Sequence, residues 1–518
     1  MRLQHGAIMM VALATVSGCG AKSSSSSPTT ATWTSGVYAA SSSYANQCAT
    51  PRTGTDPATG RAYLDKSGSS LSENFFLRSW TNELYLWYRE VPDINPVGYA
   101  TADYFKLLKT SAVTPSGNPK DKFHFTYLTS DWVALSQSGV EAGYGAQFVI
   151  LSSQPPRLVV VAYTEPGSQA VSAGLARGAK LLTVDGVDLI NANDTASVNK
   201  LNAGLFPSAI GVSHTFSVLD LGASTPRTVT LVSASVTSTP VQNVQTYSTP
   251  AGTVGYMLFN DHIATAEPLL KSAFAQLAAA NVTDLVLDIR YNGGGYLDIA
   301  SEVAYMIAGP SATTGKTFEK TVFNDKNPTR DPVTGQTISP IAFHSTTQGF
   351  SGTTGQALPA LNLSRVVVLT GANTCSASES IINSLRGVNV QVVQIGATTC
   401  GKPYGFYPQD NCGTTYFSIE FQGVNHQGIG DYFDGFSPAN TTGTVGVQVP
   451  GCAVADDYTH ALGDRNEARL SAAIGYLTNL SCPASSAAAA APDVAWAAAA
   501  SEGDALKSIW QQNRILRR

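Results

Sequence analysis

Three absences from this chain each close off a class of function. There is no basic stripe and no interleaving of aromatic with basic residues, and the net charge is only -5 at pH 7, so nucleic acid is not an expected partner. No CxxC pair and no His–Cys cluster carries metal-ligand spacing, so no metal site is expected, and no organic cofactor loop appears either. Beyond the first twenty residues no stretch is long and apolar enough to cross a bilayer. Charge of either sign is scarce, at 13% of residues against 43% hydrophobic, with 46 Gly and 26 Pro in 518 residues. That balance excludes a coiled coil and a disordered polyelectrolyte. It fits a globular, turn-rich chain too long for a single core.

The beginning of the chain reads as targeting rather than structure. Arg2 supplies a positive charge, and Ala7 to Val16 is apolar but too short for a permanent span. Val16-Ser17-Gly18-Cys19 follows, then a serine run from Ser23 to Ser27. This pattern resembles a bacterial lipoprotein signal, which implies that Cys19 becomes the lipidated first residue. Each buried acyl methylene would add about 0.8 kcal/mol to membrane anchoring. The implied location is the bacterial cell envelope, on the periplasmic or outer-surface side. Setting Cys19 aside leaves six cysteines, an even number that predicts disulfides in an exported chain. Cys400 and Cys412 flank a short turn-rich segment and are the expected pair.

Composition and periodicity divide the chain into a signal peptide (1–19), a Ser/Thr-rich tether (20–45), a helical N-terminal domain (46–135), a β-rich domain (136–240), a large α/β core (241–482) and an Ala-rich tail (483–518). In the helical domain, apolar residues from Asn74 to Trp87 recur at spacings of three and four, a helix that packs its stripe on a neighbour. The β-rich domain opens with Gly143-Tyr144-Gly145-Ala146-Gln147-Phe148. Strand-like Leu158 to Val161, the small residues Pro166 to Leu175, and Leu181 to Gly186 follow. These residues resemble a PDZ domain of bacterial proteases, although Ala179 stands where relatives usually carry Asp. The resemblance implies that the loop Gly143, Tyr144, Gly145, Ala146 receives a peptide's C-terminal carboxylate on backbone N–H groups while the peptide adds a strand. In the core, strand-like Val254 to Phe259, Leu285 to Arg290, Val366 to Leu369 and Val390 to Ile395 alternate with helical stretches, an α/β arrangement.

Three segments of the core carry the chemistry. Asp288-Ile289-Arg290-Tyr291-Asn292-Gly293-Gly294-Gly295 is a glycine turn directly after a buried strand, where successive N–H groups can face an anion. It has neither the Lys-Ser/Thr of a phosphate loop nor GxGxxG spacing. Thr374-Cys375-Ser376-Ala377-Ser378-Glu379-Ser380 places serines between a strand and a helix start. A hydroxyl is exposed there and the helix N-terminus favours a neighbouring oxyanion. Ser and Glu three apart are also what a capping box looks like. Gly396-Ala397-Thr398-Thr399-Cys400-Gly401-Lys402 holds a lysine in a glycine-framed turn, where desolvation would make it a usable neutral base.

In order and spacing the three segments resemble the C-terminal-processing (tail-specific) serine peptidase family, over roughly Gly139 to Leu480. The resemblance implies a multidomain α/β protein: a ClpP/crotonase-like core, a PDZ-like β-rich domain inserted or preceding, and a small helical N-terminal domain. It implies Ser376 as nucleophile and Lys402 as general base, 26 residues apart where relatives have about one fewer. The oxyanion hole would come from the backbone N–H of Ala377 and of Gly293 or Gly294. Ser378 and Ser380 are the alternative nucleophiles. Phe406 stands where many relatives carry Gln or Glu to orient the lysine. A sister branch of the family uses Ser-His-Glu, which makes His124, and after it His262, the alternative base. Asp456-Asp457 and His460 read as a solvated turn. The expected reaction is cofactor-free hydrolysis of polypeptides engaged by their C-termini. The competing reading is a catalytically weak, PDZ-bearing lipoprotein scaffold.

Overall fold

The computed structural model describes residues 32–482 except 58, 208, 444 and 445, together with two short strands farther along, Asp504–Ala505 and Arg514–Leu516. Cys19, with the signal and most of the tether, lies outside the described residues, as does most of the Ala-rich segment. Among the described residues no helix is long and apolar enough to cross a membrane.

The apolar stripe after residue 70 forms helix α1 (Ser70–Leu84). Its first turn is capped by Ser69, whose hydroxyl accepts the Ser72 N–H at 3.2 Å. Phe76, Leu77 and Trp80 pack on Tyr104 and Phe105 of α2 (Thr101–Leu107) and on Tyr416, so the aromatic stripe is core packing.

Residues 146–232 form an antiparallel sheet of β1 (Ala146–Ser152), β2 (Leu158–Thr164), β3 (Lys180–Val184), β4 (Ser213–Leu219) and β5 (Arg227–Val232). Its order is β5-β4-β3-β2-β1, and Asp504–Ala505 is added beside β1. Leu201 and Leu205 of α3 (Thr195–Leu205) close the small core over Phe148, Val161, Leu181 and Phe216.

The large unit is built on β6 (Val241–Thr249), β7 (Gly252–Phe259), β8 (Asp284–Asp288), β10 (Arg365–Thr370), β11 (Gln391–Gly396) and β12 (Gly451–Ala453). A short strand β9 (Gly294–Tyr296) follows β8 outside this sheet. The sheet order is β6-β7-β8-β10-β11-β12, with β6 antiparallel and the rest parallel. Successive side chains of a strand point to opposite faces, and a parallel sheet needs both faces covered. Accordingly Met257, Leu287, Val366 and Val368 pack on one face with α4 (Ala266–Ala279), α5 (Leu297–Thr313) and α6 (Ala377–Gly387). Tyr256, Val286, Val367 and Leu369 pack on the other with α7 (Ala468–Asn479) and with Val149 and Val160 of the smaller sheet. The outcome is the expected multidomain fold of mixed sheets and helices.

Two expectations fail here. The cysteines pair as Cys48–Cys412, Cys375–Cys400 and Cys452–Cys482, so Cys400 and Cys412 are not partners. Cys400 is drawn to the serine turn, its N–H donating to Thr374 O at 3.0 Å. Cys412 turns toward the N-terminal segment, where the Asn46 N–H donates to Asn411 Oδ1 at 2.8 Å. Nearness in sequence said nothing of either pull. The Asp456 side chain is likewise shielded rather than solvated, 4% exposed and bonded by Arg290 at 2.6 Å and by Arg177 at 2.7 Å.

Candidate active site

The C-terminal ends of β8, β10 and β11 lie side by side, the place where open parallel sheets bind ligands. Each end carries one of the three segments. After β8 the chain turns through Asn292. Its Nδ2 donates to Phe259 O at 2.9 Å, which points Oδ1 at the Gly294 N–H (3.0 Å) and at His262 Nδ1 (2.9 Å). With Gly294 so committed, the turn's Gly293 N–H takes no partner among the described residues. Gly295 has φ +144, and a Cβ there would sit 2.4 Å from His262 O, so only glycine fits.

Ser376 follows β10 at the entrance to α6 with φ 62 and ψ -120, a strained conformation for a residue with a side chain. The sharp strand-to-helix turn is the geometry that presents a nucleophilic serine. The turn is braced on the glycine segment: the Cys375 N–H donates to Asn292 O at 3.1 Å and Thr374 Oγ1 to Ile289 O at 2.9 Å. Of the three serines, Ser378 Oγ donates to Asn292 O at 3.0 Å and Ser380 Oγ to Glu319 Oε2 at 2.9 Å. Ser376 Oγ is buried and has no hydrogen-bond partner among the described residues. The Ala377 N–H beside it, at the first position of the helix, is also unengaged among the described residues.

Lys402 follows β11 and is fully buried. Its Nζ stands over the rings of Phe406 at 4.2 Å and Phe123 at 4.9 Å. Phe406 thus occupies the orienting position with an aromatic face, which attracts an ammonium without supplying a hydrogen bond.

Glu379 joins the two turns. Its Oε2 accepts the backbone N–H of Ser376 at 2.9 Å and of Lys402 at 2.8 Å, and its Oε1 accepts Gly401 N–H at 2.9 Å and Thr399 Oγ1–H at 2.5 Å. Burial pushes this carboxyl above the ordinary glutamate value of 4.5, against the pull of those donors. Sequence reasoning saw only a helix cap. The spacing of Ser376 and Glu379 was the available signal, but nothing in it could show that the far side of the carboxylate holds the lysine turn.

His124 is placed elsewhere. Its Nε2 pairs with Phe105 O at 2.9 Å and its ring stacks on Phe105 at 3.9 Å; burial pushes it down to about 4, so it is neutral at physiological pH. None of these partners belongs to the serine or lysine turn. His262 backs the glycine turn through Asn292, and its carbonyl accepts the Tyr296 N–H at 2.8 Å. Among the described residues, the one group able to gather metal-donor atoms is Cys375, Glu379 and Cys400, and two of those donors are joined in a disulfide.

Two further features stand apart from the serine and lysine turns. The strand Arg514–Leu516 runs parallel to β9, pairing Gly294 with Arg514 and Tyr296 with Leu516. A cavity of about 450 Å³ between the smaller unit and residues 127–135 is lined by Gly143, Tyr144, Gly145 and Ala146, with Phe148 and Phe206 supplying apolar walls. Its charged lining is acidic: Asp131, Glu141 and Glu165.

Tyr296 also packs its ring, tilted by 46°, against Phe350 at 4.7 Å, in a loop held by two buried carboxyls. Glu267 accepts the Gly349 and Phe350 N–H groups at 2.9 and 3.0 Å, and Glu302 accepts Gln348 N–H at 3.0 Å. Burial, and then the charge of Glu267, pushes Glu302 up to about 9 from an ordinary 4.5. The folded state therefore holds a proton that the unfolded state releases, and stability falls as pH rises from about 4.5 to about 9. Glu302→Gln keeps an acceptor for Gln348 and a donor toward Glu267. It should flatten that slope, which is at most about 1.4 kcal/mol per pH unit, and leave the variant more stable than the parent at pH 8–9. Unfolding midpoints from pH 5 to 9 would check this; parallel curves would refute it.

Residues 253–406 match the family model described as Peptidase family S41, a span that contains all three segments. A carboxyl-terminal-processing protease of Synechocystis sp. is 26% identical over 269 residues, covering 52% of this chain and 54% of that protein. The chloroplastic C-terminal processing peptidase of Tetradesmus obliquus is 33% identical over 265 residues, covering 48% of this chain and 52% of that protein. The chain thus spans about half the length of the curated relatives it matches. A solved chain of Bacteroides fragilis NCTC 9343, described as a candidate S41 protease, aligns with a TM-score of 0.58 at 22% identity over 78% of this chain and 97% of that one, a likeness of fold.

Proposed function

We propose that this relative of the S41 carboxyl-terminal-processing proteases is a serine endopeptidase that hydrolyses polypeptides through Ser376 and Lys402. The observation that carries the reading is the state of the three serine hydroxyls: Ser378 and Ser380 are spent on hydrogen bonds, while Ser376 stands uncommitted on a strained turn tied through Glu379 to Lys402. Neutral Lys402 takes the Ser376 proton as Oγ attacks the peptide carbonyl. The N–H groups of Ala377 and Gly293 hold the oxyanion, and the lysine returns the proton to the leaving amine. Water then repeats the cycle on the ester. Gly294 is the weaker oxyanion candidate, because Asn292 already holds its N–H.

The substrate lies as an extended strand. Support comes from β9, whose edge takes Arg514–Leu516 as a parallel neighbour. In this proposal residues 136–240 are a PDZ-like selector on a ClpP/crotonase-like core, with the cavity at Gly143–Ala146 receiving a peptide end. The acidic lining favours ends that carry Lys or Arg. The lipid anchor at Cys19, and with it the cell-envelope location, belongs to the same proposal. Phe406, the departure from the family pattern that favours the scaffold alternative, lies against Lys402 Nζ at 4.2 Å, which supports reading it as part of the lysine's surroundings.

The test is direct. Purified protein incubated with casein or a C-terminally tagged peptide should cleave it, and a fluorophosphonate should add to the peptide bearing Ser376. A protein that neither cleaves a broad peptide library nor takes the label at Ser376 is not the enzyme proposed.

A further inference from the structure

Ser376 and Lys402 sit on different turns, each beginning where a strand ends and leaving regular hydrogen bonding behind. β10 and β11 are paired neighbours up to Thr370 and Gly396; beyond them one backbone bond, from the Cys400 N–H to Thr374 O at 3.0 Å, and two side-chain ties hold the turns in register. Glu379 is one tie. The other is covalent. Cys375, immediately before the nucleophile, is bonded to Cys400, two residues before the lysine, with their Cα atoms 5.2 Å apart. Cys375 is buried at 1% exposure and Cys400 is partly exposed, so a small reductant can reach the bond from the lysine side. Neither of the other disulfides includes a residue of either turn.

We infer that the Cys375–Cys400 disulfide is a positioning element of the reaction, and that hydrolytic activity requires it oxidised. The inference rests on the Ser376/Lys402 reading. Proton transfer from Ser376 to Lys402 needs the two side chains aligned, and a misplacement of about 1 Å costs on the order of a hundredfold in rate. Opening the bond leaves Glu379 as the remaining side-chain tie between the turns. The expected loss is in kcat, because the substrate edge at β9 and the peptide-end cavity are untouched.

The experiment compares the full chain with Cys375→Ala/Cys400→Ala and, as control, Cys452→Ala/Cys482→Ala. Each is assayed for kcat and KM on a peptide the parent cleaves and for the rate of fluorophosphonate labelling at Ser376. The first pair should lose about 10- to 100-fold in kcat and in labelling rate with KM within about twofold, while the control pair keeps the parent's kcat. Treating the parent with a phosphine should give the same loss. The phosphine is oxidised as the disulfide takes up two electrons and two protons, and re-oxidation should restore activity. The phosphine should do nothing further to Cys375→Ala/Cys400→Ala. An unchanged kcat in that variant and in the reduced parent overturns the inference while the peptidase reading stands. So does a loss that merely tracks a collapse of the unfolding midpoint. A parent that neither cleaves nor labels removes the reading itself.

Discussion

Lys402→Met should leave the protein folded and reduce peptide turnover at least about 10³-fold, as Ser376→Ala should. Methionine matches the lysine stem in length and keeps favourable contact with the rings of Phe406 and Phe123, so the buried site is refilled rather than emptied. What it removes is the amine proposed to accept the serine proton. Lys402→Arg should be no better than methionine, since a guanidinium stays charged and cannot act as a base. That outcome separates proton transfer from simple positive charge. The double variant Ser376→Ala/Lys402→Met should be hardly worse than either single one, because residues acting as one unit do not lose activity additively. Ser378→Ala and Ser380→Ala each sever one buried hydrogen bond and should cost stability more than chemistry. The same assay weighs the histidine alternative. If His124→Asn abolished turnover per folded molecule while Lys402→Met spared it, the Ser/Lys assignment would fall.

Much of this site was legible in the sequence, and what was not has a common cause. The glycine turn, the serine turn and the lysine turn each follow a run of β-branched and leucine residues, so their position at strand ends could be read locally. That Ser376 rather than Ser378 keeps its hydroxyl uncommitted could not, since the difference lies in Asn292 O, 86 residues away in sequence. Glu379 was visible as a helix cap because capping is a local rule. Its second role depends on Gly401 and Lys402 arriving from another strand. The disulfides failed in the same way. Short spacing suggested Cys400 with Cys412, whereas the pairing of β10 with β11 delivers Cys400 to Cys375. Phe406 looked like a defect in a motif and is part of the wall around the lysine.

Arg290→Met should lower the unfolding midpoint more than any other single change considered. The residue was read as the end of a buried strand, and its side chain is indeed fully buried. It bonds Asp288 through Nε and Nη2 at 2.9 Å each, Glu467 at 2.7 and 3.0 Å, and Asp456 at 2.6 Å. Asp456 also binds Arg177 of the smaller unit, and Glu467 caps α7 by accepting the Leu470 N–H at 2.9 Å. One guanidinium therefore joins the end of β8, the start of α7 and, through Asp456, the neighbouring unit. A methionine fills most of the volume but strands carboxylates in the core, a loss of about 3–5 kcal/mol. The pH dependence identifies the cause. Despite its burial, Asp456 is held well below the ordinary aspartate value of 3.8, chiefly by Arg177 and Arg290. A depressed carboxyl contributes stability above its unfolded value and loses it as pH falls through its folded one. In the variant Asp456, deprived of Arg290, takes up its proton at higher pH than in the parent. The destabilisation should therefore be largest near neutrality and shrink as pH falls toward 4. Urea unfolding of parent and variant at pH 7 and pH 4.5 would show it, and a deficit equal at both values would mean that lost packing, not unpaired charge, is the cause.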